Sequence, residues 1–405
     1  MIQKNLPLSP IFSLRPQILL LISTLLYFFP YAVGSFEYIS PYGWRYRHDY
    51  HADTIYIVAF ILTCLFSSMV LIKDRVVKFS LDWDYRYEHF AILLLIVISG
   101  SYLILYSPDL YSYNKAEVLE GTNRINYIYY YSCGLGVIYA LLAGWRKHLI
   151  LLILGSLGLI STLYIGHRSY LAITIGGIAY LFFRNRSLAK INPLYIAAAF
   201  AGIMFLAVYK SVYVAIKMGD FAAVRNRLLD NPLTDNALIG LEQFVTFAHL
   251  DFIFTYDYTL PCTNIWKLPI AFIPFMDELV DISSCGYNAQ VQQVFFSSYS
   301  GGVAANIWAE FYAIFGYAGM PIVILLIVLF TKCIEYFISM VGSPLIKSGL
   351  IMAIIELTIY IQRKEMMGAV ISAKRVILVA LLAYACAFAI RSVTRSPRSA
   401  VGVRR

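Results

Sequence analysis

The chain has 405 residues, of which 60% are hydrophobic and only 14% are charged. A soluble protein devotes about a quarter of its residues to charge, so this composition excludes a soluble enzyme and predicts that almost the whole chain lies in lipid. The formal net charge of +9 does not indicate a nucleic-acid partner, because the basic residues fall in short loops and in the C-terminal tail.

Ten apolar stretches are interpreted as transmembrane spans. Helices are expected because backbone groups in lipid must be satisfied internally. The first run, Pro16 to Phe36, has no small-residue cleavage site after it and is interpreted as a signal anchor. The sequence predicts an all-α, polytopic membrane helix bundle forming a single domain over 1–405. The predicted spans are 17–34, 54–72, 90–107, 126–144, 149–166, 169–183, 192–209, 312–331, 348–362 and 376–390.

Positive charges between these spans indicate the orientation of the bundle. Loops rich in Lys and Arg stay in the cytoplasm, and four such loops alternate with the spans as the rule requires. Both termini are then cytoplasmic, and residues 211–309 lie outside. Residues 363–375 are the exception, since they carry four basic residues and are nevertheless expected outside.

The segment 211–309 is far longer than an ordinary loop and holds four basic and nine acidic residues. A long loop of mixed charge predicts binding or chemistry at the outer surface, so 211–309 is expected to carry part of the site. Within it, Ile265 to Met276 is too short to span, which favours an interfacial or re-entrant segment. Cys262 and Cys285 share the loop, which allows a disulfide there.

Three arginines lie near the outer boundary, the side that the insertion rule disfavours. Arg168, in the tight turn Gly166–Ser169, either caps a helix or offers a guanidinium to a lipid-borne phosphate, which it can bind bidentately. Arg225 and Arg227 follow the seventh span and point to roughly opposite sides of a helix. One of them is expected to face the membrane surface or the site, and the other solvent.

Acidic residues and one histidine supply the candidate bases. Glu310 opens the eighth span among small residues that let another helix approach, either as a functional carboxylate or as a partner of the helix dipole. Glu356, inside the ninth span, fits either a buried ion pair or proton-coupled transport. His249 precedes Asp251 and Asp257, the composition of a base with its orienting carboxylate, although residues two apart on a helix do not face each other.

Aromatic residues of the long loop have two interpretations. Interfacial belts explain many tyrosines, but Tyr256 and Tyr258 also suit stacking on sugar rings. No spaced ligand motif predicts a metal, and no glycine pattern predicts a nucleotide cofactor.

Four features of the chain occur together: the Gly166–Ser169 turn, the long outer loop with its arginines, the run from Ala309-Glu310-Phe311-Tyr312 to Phe315-Gly316 and Gly319, and Arg363 in the last outer loop. In these features the chain resembles the bacterial O-antigen polymerases, the Wzy-type family of polytopic glycan polymerases. The resemblance covers the second half of the chain best. Two positions depart from the family pattern: Phe275 follows Pro274 where a basic residue is usual, and Lys364 follows Arg363 where Gly is usual.

That resemblance implies a GT-C-like glycosyltransferase that polymerises undecaprenyl-pyrophosphate-linked O-antigen repeat units at the periplasmic face of the inner membrane. Arg168, Arg225 or Arg227, and Arg363 would clamp the pyrophosphate leaving group. Glu310 or His249 would deprotonate the acceptor hydroxyl. The implied partners are the lipid-linked oligosaccharide, membrane lipid and a polysaccharide chain-length regulator, without nucleic acid or cofactor.

Three alternatives remain open at this point. An O-antigen ligase has a similar architecture but delivers the glycan to lipid A core. A transporter or flippase of lipid-linked glycan would show inverted repeats and broken helices, and Glu356 is the residue that favours it. A polytopic scaffold without chemistry leaves the outer arginines unexplained.

Overall fold

The computed structural model describes residues 13–33, 35–39, 45–72, 76–79, 86–106, 124–165, 167–186, 215–229, 243–274, 276, 285–297 and 304–394, with isolated positions 194, 202, 209 and 212. Strands β1 (Ser35–Ile39) and β2 (Arg45–Asp49) form one antiparallel hairpin, and the other described elements are helical. The helices are α1 (Pro16–Val33), α2 (Thr54–Leu71), α3 (Arg86–Tyr106), α4 (Arg124–Ala143), α5 (Leu149–Ile165), α6 (Ser169–Phe183), α7 (Phe221–Leu229), α8 (Gln243–Thr255), α9 (Leu268–Ala271), α10 (Tyr287–Phe295), α11 (Ile307–Phe315), α12 (Gly319–Met340), α13 (Pro344–Thr358) and α14 (Met366–Thr394).

Five helical segments are long and apolar enough to cross a membrane, and three shorter apolar helices coincide with further predicted spans. The helical, membrane-compatible character expected from composition is therefore present, while the count of ten spans stays a prediction. The expected span 348–362 is the 15-residue α13 followed by a 3-10 turn at Tyr360–Arg363. The expected span 192–209 lies outside the described residues except at three positions. The five long segments are Thr54–Leu71, Tyr87–Tyr106, Arg124–Ala143, Ile307–Met340 and Met366–Thr394.

In its described residues, the segment 211–309 contains helices α7 to α10 and the start of α11, where the sequence suggested a long loop. One of them, α8, packs against α1, α2 and α11. Its residues from Phe247 to Asp251 are all fully buried, because apolar neighbours surround the helix on several sides. Phe28, Tyr31 and Tyr50 contact the ring of Phe247. The segment therefore contributes a core helix as well as surface structure.

Contacts divide the chain into two compact units, whereas the sequence predicted a single domain. Unit 1 comprises Met1–Val77, Ala179–Glu335 and Ile354–Lys374, and unit 2 comprises Lys78–Ile178, Tyr336–Ala353 and Arg375–Arg405. The candidate residues Glu310, His249, Arg225, Arg227 and Arg363 belong to unit 1, and Arg168 belongs to unit 2.

The two ends of α1 lie near different parts of unit 1. At its start, the backbone N–H of Leu14 donates to the Phe183 carbonyl at 3.1 Å, and Arg184 Nε lies 2.5 Å from Glu335 Oε1. The C-terminal half of α1 packs on α8 through Phe28. The Arg184–Glu335 pair and α8 thus lie towards opposite ends of α1, and the placement of these ends on opposite sides of a membrane stays a prediction.

Glycines fix the break between α11 and α12. Gly316 has a φ of +59°, a conformation that residues with a side chain rarely adopt. At Gly319 a Cβ would lie 2.1 Å from the Phe311 carbonyl oxygen. Gly316 and Gly319 therefore allow the sharp turn between α11 and α12, in addition to any role in helix packing.

Unit 2 is built around α3, α4 and α5. A Cβ at Gly155 would lie 2.7 Å from the Cys133 carbonyl oxygen, so glycine permits the close approach of α5 to α4. At the start of α13, Glu88 accepts hydrogen bonds from Ser343 Oγ at 2.7 Å and from the Leu345 backbone N–H at 3.3 Å. This carboxylate satisfies donors at a helix start that would otherwise lack partners.

Candidate functional site

The carboxylate of Asp251 is the centre of a polar cluster at the start of α2. Its Oδ2 lies 2.8 Å from His51 Nδ1, and its Oδ1 accepts the His51 backbone N–H at 3.1 Å. Thr54 Oγ1 donates to Oδ1 as well. Asp251 is fully buried, whereas the His51 side chain is 41% exposed. A buried carboxylate requires such donors, because leaving it unpaired away from water is costly.

Four aromatic side chains, Phe252, Tyr256, Tyr258 and Phe295, form what we term the aromatic shelf. The Phe295 ring stacks on Phe252 at 5.3 Å and on Tyr256 at 5.9 Å, and meets Tyr258 edge-on at 5.3 Å between centroids. Tyr256 is 60% exposed, and its ring centroid lies 6.3 Å from that of His51. The two tyrosines predicted to stack on sugars therefore lie together, next to a histidine.

A disulfide joins Cys262 to Cys285, with 5.4 Å between their Cα atoms, which confirms the pairing that the sequence allowed. It connects the segment after the aromatic shelf to the residues that begin α10. The Gln290 side chain of α10 donates to the Cys262 carbonyl at 3.0 Å. These links hold α10, and with it Phe295, close to the end of α8.

His249 lies inside the protein. Its side chain is fully buried, with Nδ1 3.3 Å from the Tyr287 hydroxyl and its ring stacked on Phe296 at 4.8 Å. Burial lowers the pKa of His249 to about 3, because the charged imidazolium is poorly solvated there. A base must reach the proton that it removes, so this placement does not favour direct contact between His249 and a substrate.

Glu310 and Glu365 hold the residues that follow α13. Glu310, 1% exposed, accepts the backbone N–H of Met366 through Oε2 at 2.7 Å. Glu365 accepts the backbone N–H of Asn288 at 3.2 Å, and burial raises the pKa of Glu365. Glu310 also occupies the first turn of α11, where a negative charge complements the helix dipole. Both carboxylates therefore position backbone.

The 3-10 turn Tyr360–Arg363 and the following Lys364 form what we term the cationic turn. The Arg363 guanidinium lies 5.2 Å from the centre of the Tyr360 ring, and Lys364 Nζ lies 4.8 Å from it. Lys364 Nζ also lies 3.0 Å from Glu356 Oε2, whose side chain is 1% exposed. Glu356 is thus part of a buried ion pair, one of the two interpretations that the sequence left open.

A hydrogen-bond chain anchors the cationic turn. Gln362 Oε1 accepts from Trp308 Nε1 at 2.8 Å. Gln362 Nε2 donates to Ser23 Oγ at 3.2 Å and to Thr24 Oγ1 at 3.0 Å, both on α1. Asn306 caps α11, accepting from two backbone N–H groups and donating to the Thr246 carbonyl of α8 at 2.9 Å. The turn is therefore fixed against α1 and α11, and α11 against α8.

The other predicted clamp arginines lie on two further helices, α6 and α7. The Arg168 carbonyl accepts the Ala172 N–H at 3.1 Å, which puts Arg168 at the N-terminus of α6, in the capping position that the sequence also allowed. Arg225 is exposed on α7, and the side chain of Arg227 lies outside the described residues. Convergence of these arginines with Arg363 stays a prediction.

Sequence reasoning missed His51 as the partner of Asp251. It considered Asp251 as the orienting carboxylate of His249, with the reservation that residues two apart on a helix do not face each other, and on α8 they indeed point in different directions. The true partner is 200 residues away in the chain. A long-range contact of this kind leaves no local spacing signal. Only the free-energy cost of burying an aspartate without donors indicates that it has a partner.

Within the residues that the structure describes, no three His, Cys, Asp or Glu side chains are grouped as metal ligands. No protein-family model matches this chain, and neither the curated proteins nor the solved structures contain a match.

Proposed function

We propose that this protein polymerises lipid-linked oligosaccharide repeat units by glycosyl transfer, as the resemblance to O-antigen polymerases implies. Both substrates would be glycans on undecaprenyl pyrophosphate, at the periplasmic face of a bacterial inner membrane. The apolar helices suit an enzyme whose substrates are anchored in lipid. A glycan already activated by pyrophosphate needs no nucleotide sugar or other cofactor.

One juxtaposition carries the proposal. The cationic turn packs against α8, the helix that bears Asp251, Phe252 and the start of the aromatic shelf. Cations suit the developing charge of a pyrophosphate leaving group. Exposed aromatic faces suit the apolar C–H patches of sugar rings. A lipid-linked glycan carries its pyrophosphate and its sugar rings a short distance apart. Residues on and next to α8 therefore suit binding of both groups.

In the proposed reaction Arg363 binds the pyrophosphate through its planar set of donors, which matches phosphate oxygens better than an ammonium does. Arg168, Arg225 and Arg227 are the further candidates for this clamp. Tyr256 and Tyr258 hold sugar rings. Glu310 and His249, the bases that the sequence suggested, are both buried. In this proposal Glu310 positions the cationic turn, and His249 positions α10.

Transport of a lipid-linked glycan is the alternative from another class, and Glu356 was the residue that favoured it. The ion pair of Glu356 with Lys364 supports a structural role for this carboxylate, since removing one partner of a buried ion pair is strongly destabilising. The polymerase proposal is therefore retained over the transporter.

Deletion of the gene followed by electrophoresis of lipopolysaccharide tests the proposal. A polymerase deletion leaves one repeat unit on the core, and complementation with the wild-type gene restores the ladder. A ligase deletion leaves free polymer and bare core. An unchanged ladder contradicts both glycosyl-transfer functions.

A further inference from the structure

We propose that His51, held by Asp251, is the general base of the glycosyl transfer and that Tyr256 holds the acceptor sugar beside it. This inference rests on the proposed function and assigns a catalytic residue that the resemblance did not. It follows from the contacts of the Asp251 cluster and its distance to the aromatic shelf.

Asp251 determines which nitrogen of His51 can act as a base. Its carboxylate lies 2.8 Å from Nδ1 and has no proton to give, so Nδ1 carries the hydrogen and donates it. In neutral imidazole the other nitrogen, Nε2, is then the acceptor. The same carboxylate holds the His51 backbone N–H, so both the ring and the chain that carries it are oriented. This is the arrangement of a base with its orienting carboxylate.

Accessibility separates His51 from the earlier candidates. Its side chain is 41% exposed although its partner is fully buried. His249 is fully buried, and Glu310 is 1% exposed and already accepts a backbone N–H. Among these three, His51 alone combines an oriented ring with surface that a substrate hydroxyl can approach.

The aromatic shelf supplies a place for the acceptor. Tyr256 is 60% exposed, and its ring centroid is 6.3 Å from that of His51, at an interplanar angle of 77°. The exposed side chain of Tyr256 thus offers an aromatic surface for a sugar in contact with the His51 ring. Phe295 supports Tyr256 from another side at 5.9 Å, which limits the positions that the ring can take.

The transfer step forms one glycosidic bond and breaks one bond to the lipid pyrophosphate. Nε2 of His51 accepts the proton of the acceptor hydroxyl, and the acceptor oxygen forms a bond to the anomeric carbon of the donor glycan. The bond from that carbon to the pyrophosphate oxygen breaks, and its electron pair leaves with the lipid pyrophosphate. The imidazolium then returns its proton to solvent, which regenerates the base.

The test uses full-length protein in lipid vesicles, with isolated undecaprenyl-pyrophosphate-linked repeat units as donor and acceptor. We expect His51→Gln and Asp251→Asn each to lower kcat by at least about 100-fold, the range for loss of a general base or its correct tautomer. KM should change by less than about threefold, since Tyr256 and the cationic turn remain. Exogenous imidazole should restore at least a tenth of wild-type turnover to His51→Ala.

Two controls separate catalysis from folding. His89→Gln changes a histidine whose ring is hydrogen-bonded to another ring, that of His148, at 2.9 Å in unit 2, and its kcat should stay within about threefold of wild type. The Cys262–Cys285 disulfide, assayed by alkylation, reports the fold of each variant.

Two results would overturn the inference, and a third would overturn the proposed function. Turnover of His51→Gln within threefold of wild type overturns the inference, and so does a failure of imidazole to rescue disulfide-bonded His51→Ala. If wild-type protein forms no polymer from competent substrate, the proposed function itself fails, which is a different result.

Discussion

Glu310 Oε2 accepts the backbone N–H of Met366 at 2.7 Å, joining the first turn of α11 to the first residue of α14 across 56 positions of sequence. Met366 follows the cationic turn almost directly, so this bond fixes the position of Arg363 relative to α11. It also places the start of 363–375 beside residues that end the long segment 211–309. Arg363 and Lys364, two of the basic residues that depart from the charge rule, therefore lie near the end of the segment expected to be outside.

Substitution of Glu310 separates positioning from proton transfer. Glu310→Gln retains a carbonyl oxygen that can accept the Met366 N–H, so we expect polymer formation within about threefold of wild type. Glu310→Ala leaves a buried donor without a partner, at a cost of about 1–3 kcal/mol, and should lower both stability and activity. Polymer ladders and thermal unfolding midpoints measure the two effects. A complete loss of polymer in stably inserted Glu310→Gln would restore Glu310 as the base.

Arg363 is expected to contribute through its planar guanidinium. Arg363→Ala should lower the polymerisation rate by about 100-fold, as is typical for one charge-assisted contact in a desolvated site. Arg363→Lys should recover little of this, because a point charge replaces a bidentate donor. Arg146→Ala is the matched control, since Arg146 is exposed and also lies over an aromatic ring, at 5.4 Å from the centre of Trp145. Equal rates for Arg363→Ala and Arg146→Ala would remove Arg363 from the clamp.

Protonation of His249 should make stability depend on pH. Its folded pKa of about 3 lies below its ordinary value of 6.5, so between these values the unfolded chain binds a proton that the folded chain does not. Stability is then unaffected above about pH 6.5 and falls as pH drops towards 3, by up to about 1.4 kcal/mol per pH unit. His249→Gln should flatten this part of the curve relative to wild type. An equal loss of stability with falling pH in the two proteins would contradict the buried, neutral histidine.

Removal of the disulfide should loosen the aromatic shelf. The bridge spans 23 positions of sequence, and closing a loop of this size contributes roughly 3 kcal/mol in the chain-entropy description. The double substitution Cys262→Ala and Cys285→Ala should lower the unfolding midpoint and weaken substrate binding more than chemistry. Cys386→Ala, at a free and half-buried thiol, is the control. Thiol labelling of both loop cysteines in unreduced wild-type protein would show that the bridge does not form.

Apolar stretches predicted the helices because a lipid-compatible helix needs a continuous run of apolar residues and little else. The disulfide was also within reach, since only two cysteines lie in the long segment. By contrast, the burial of α8 was not predictable from its length of 13 residues, which is too short to span. The break at Gly316 was read as a packing stripe, because small residues serve both purposes.

The candidate site likewise contains features that the sequence predicted and features that it did not. Tyr256 and Tyr258 were identified by residue type and position, and the structure brings them together. The link between Asp251 and His51 was missed because it joins distant parts of the chain. Glu310 and His249 were chosen for their chemistry, but burial, which a sequence does not display at single-residue level, gives both of them protein partners.

Polymerisation by the isolated protein is the most direct test of the central claim. Wild-type protein would be reconstituted into lipid vesicles with undecaprenyl-pyrophosphate-linked repeat units as the sole substrate, and the products would be separated by size. The proposed function predicts a ladder of lipid-linked polymers with release of one lipid pyrophosphate for each unit added. Unchanged repeat units, under conditions in which a polymerase of known activity extends the same substrate, would contradict it.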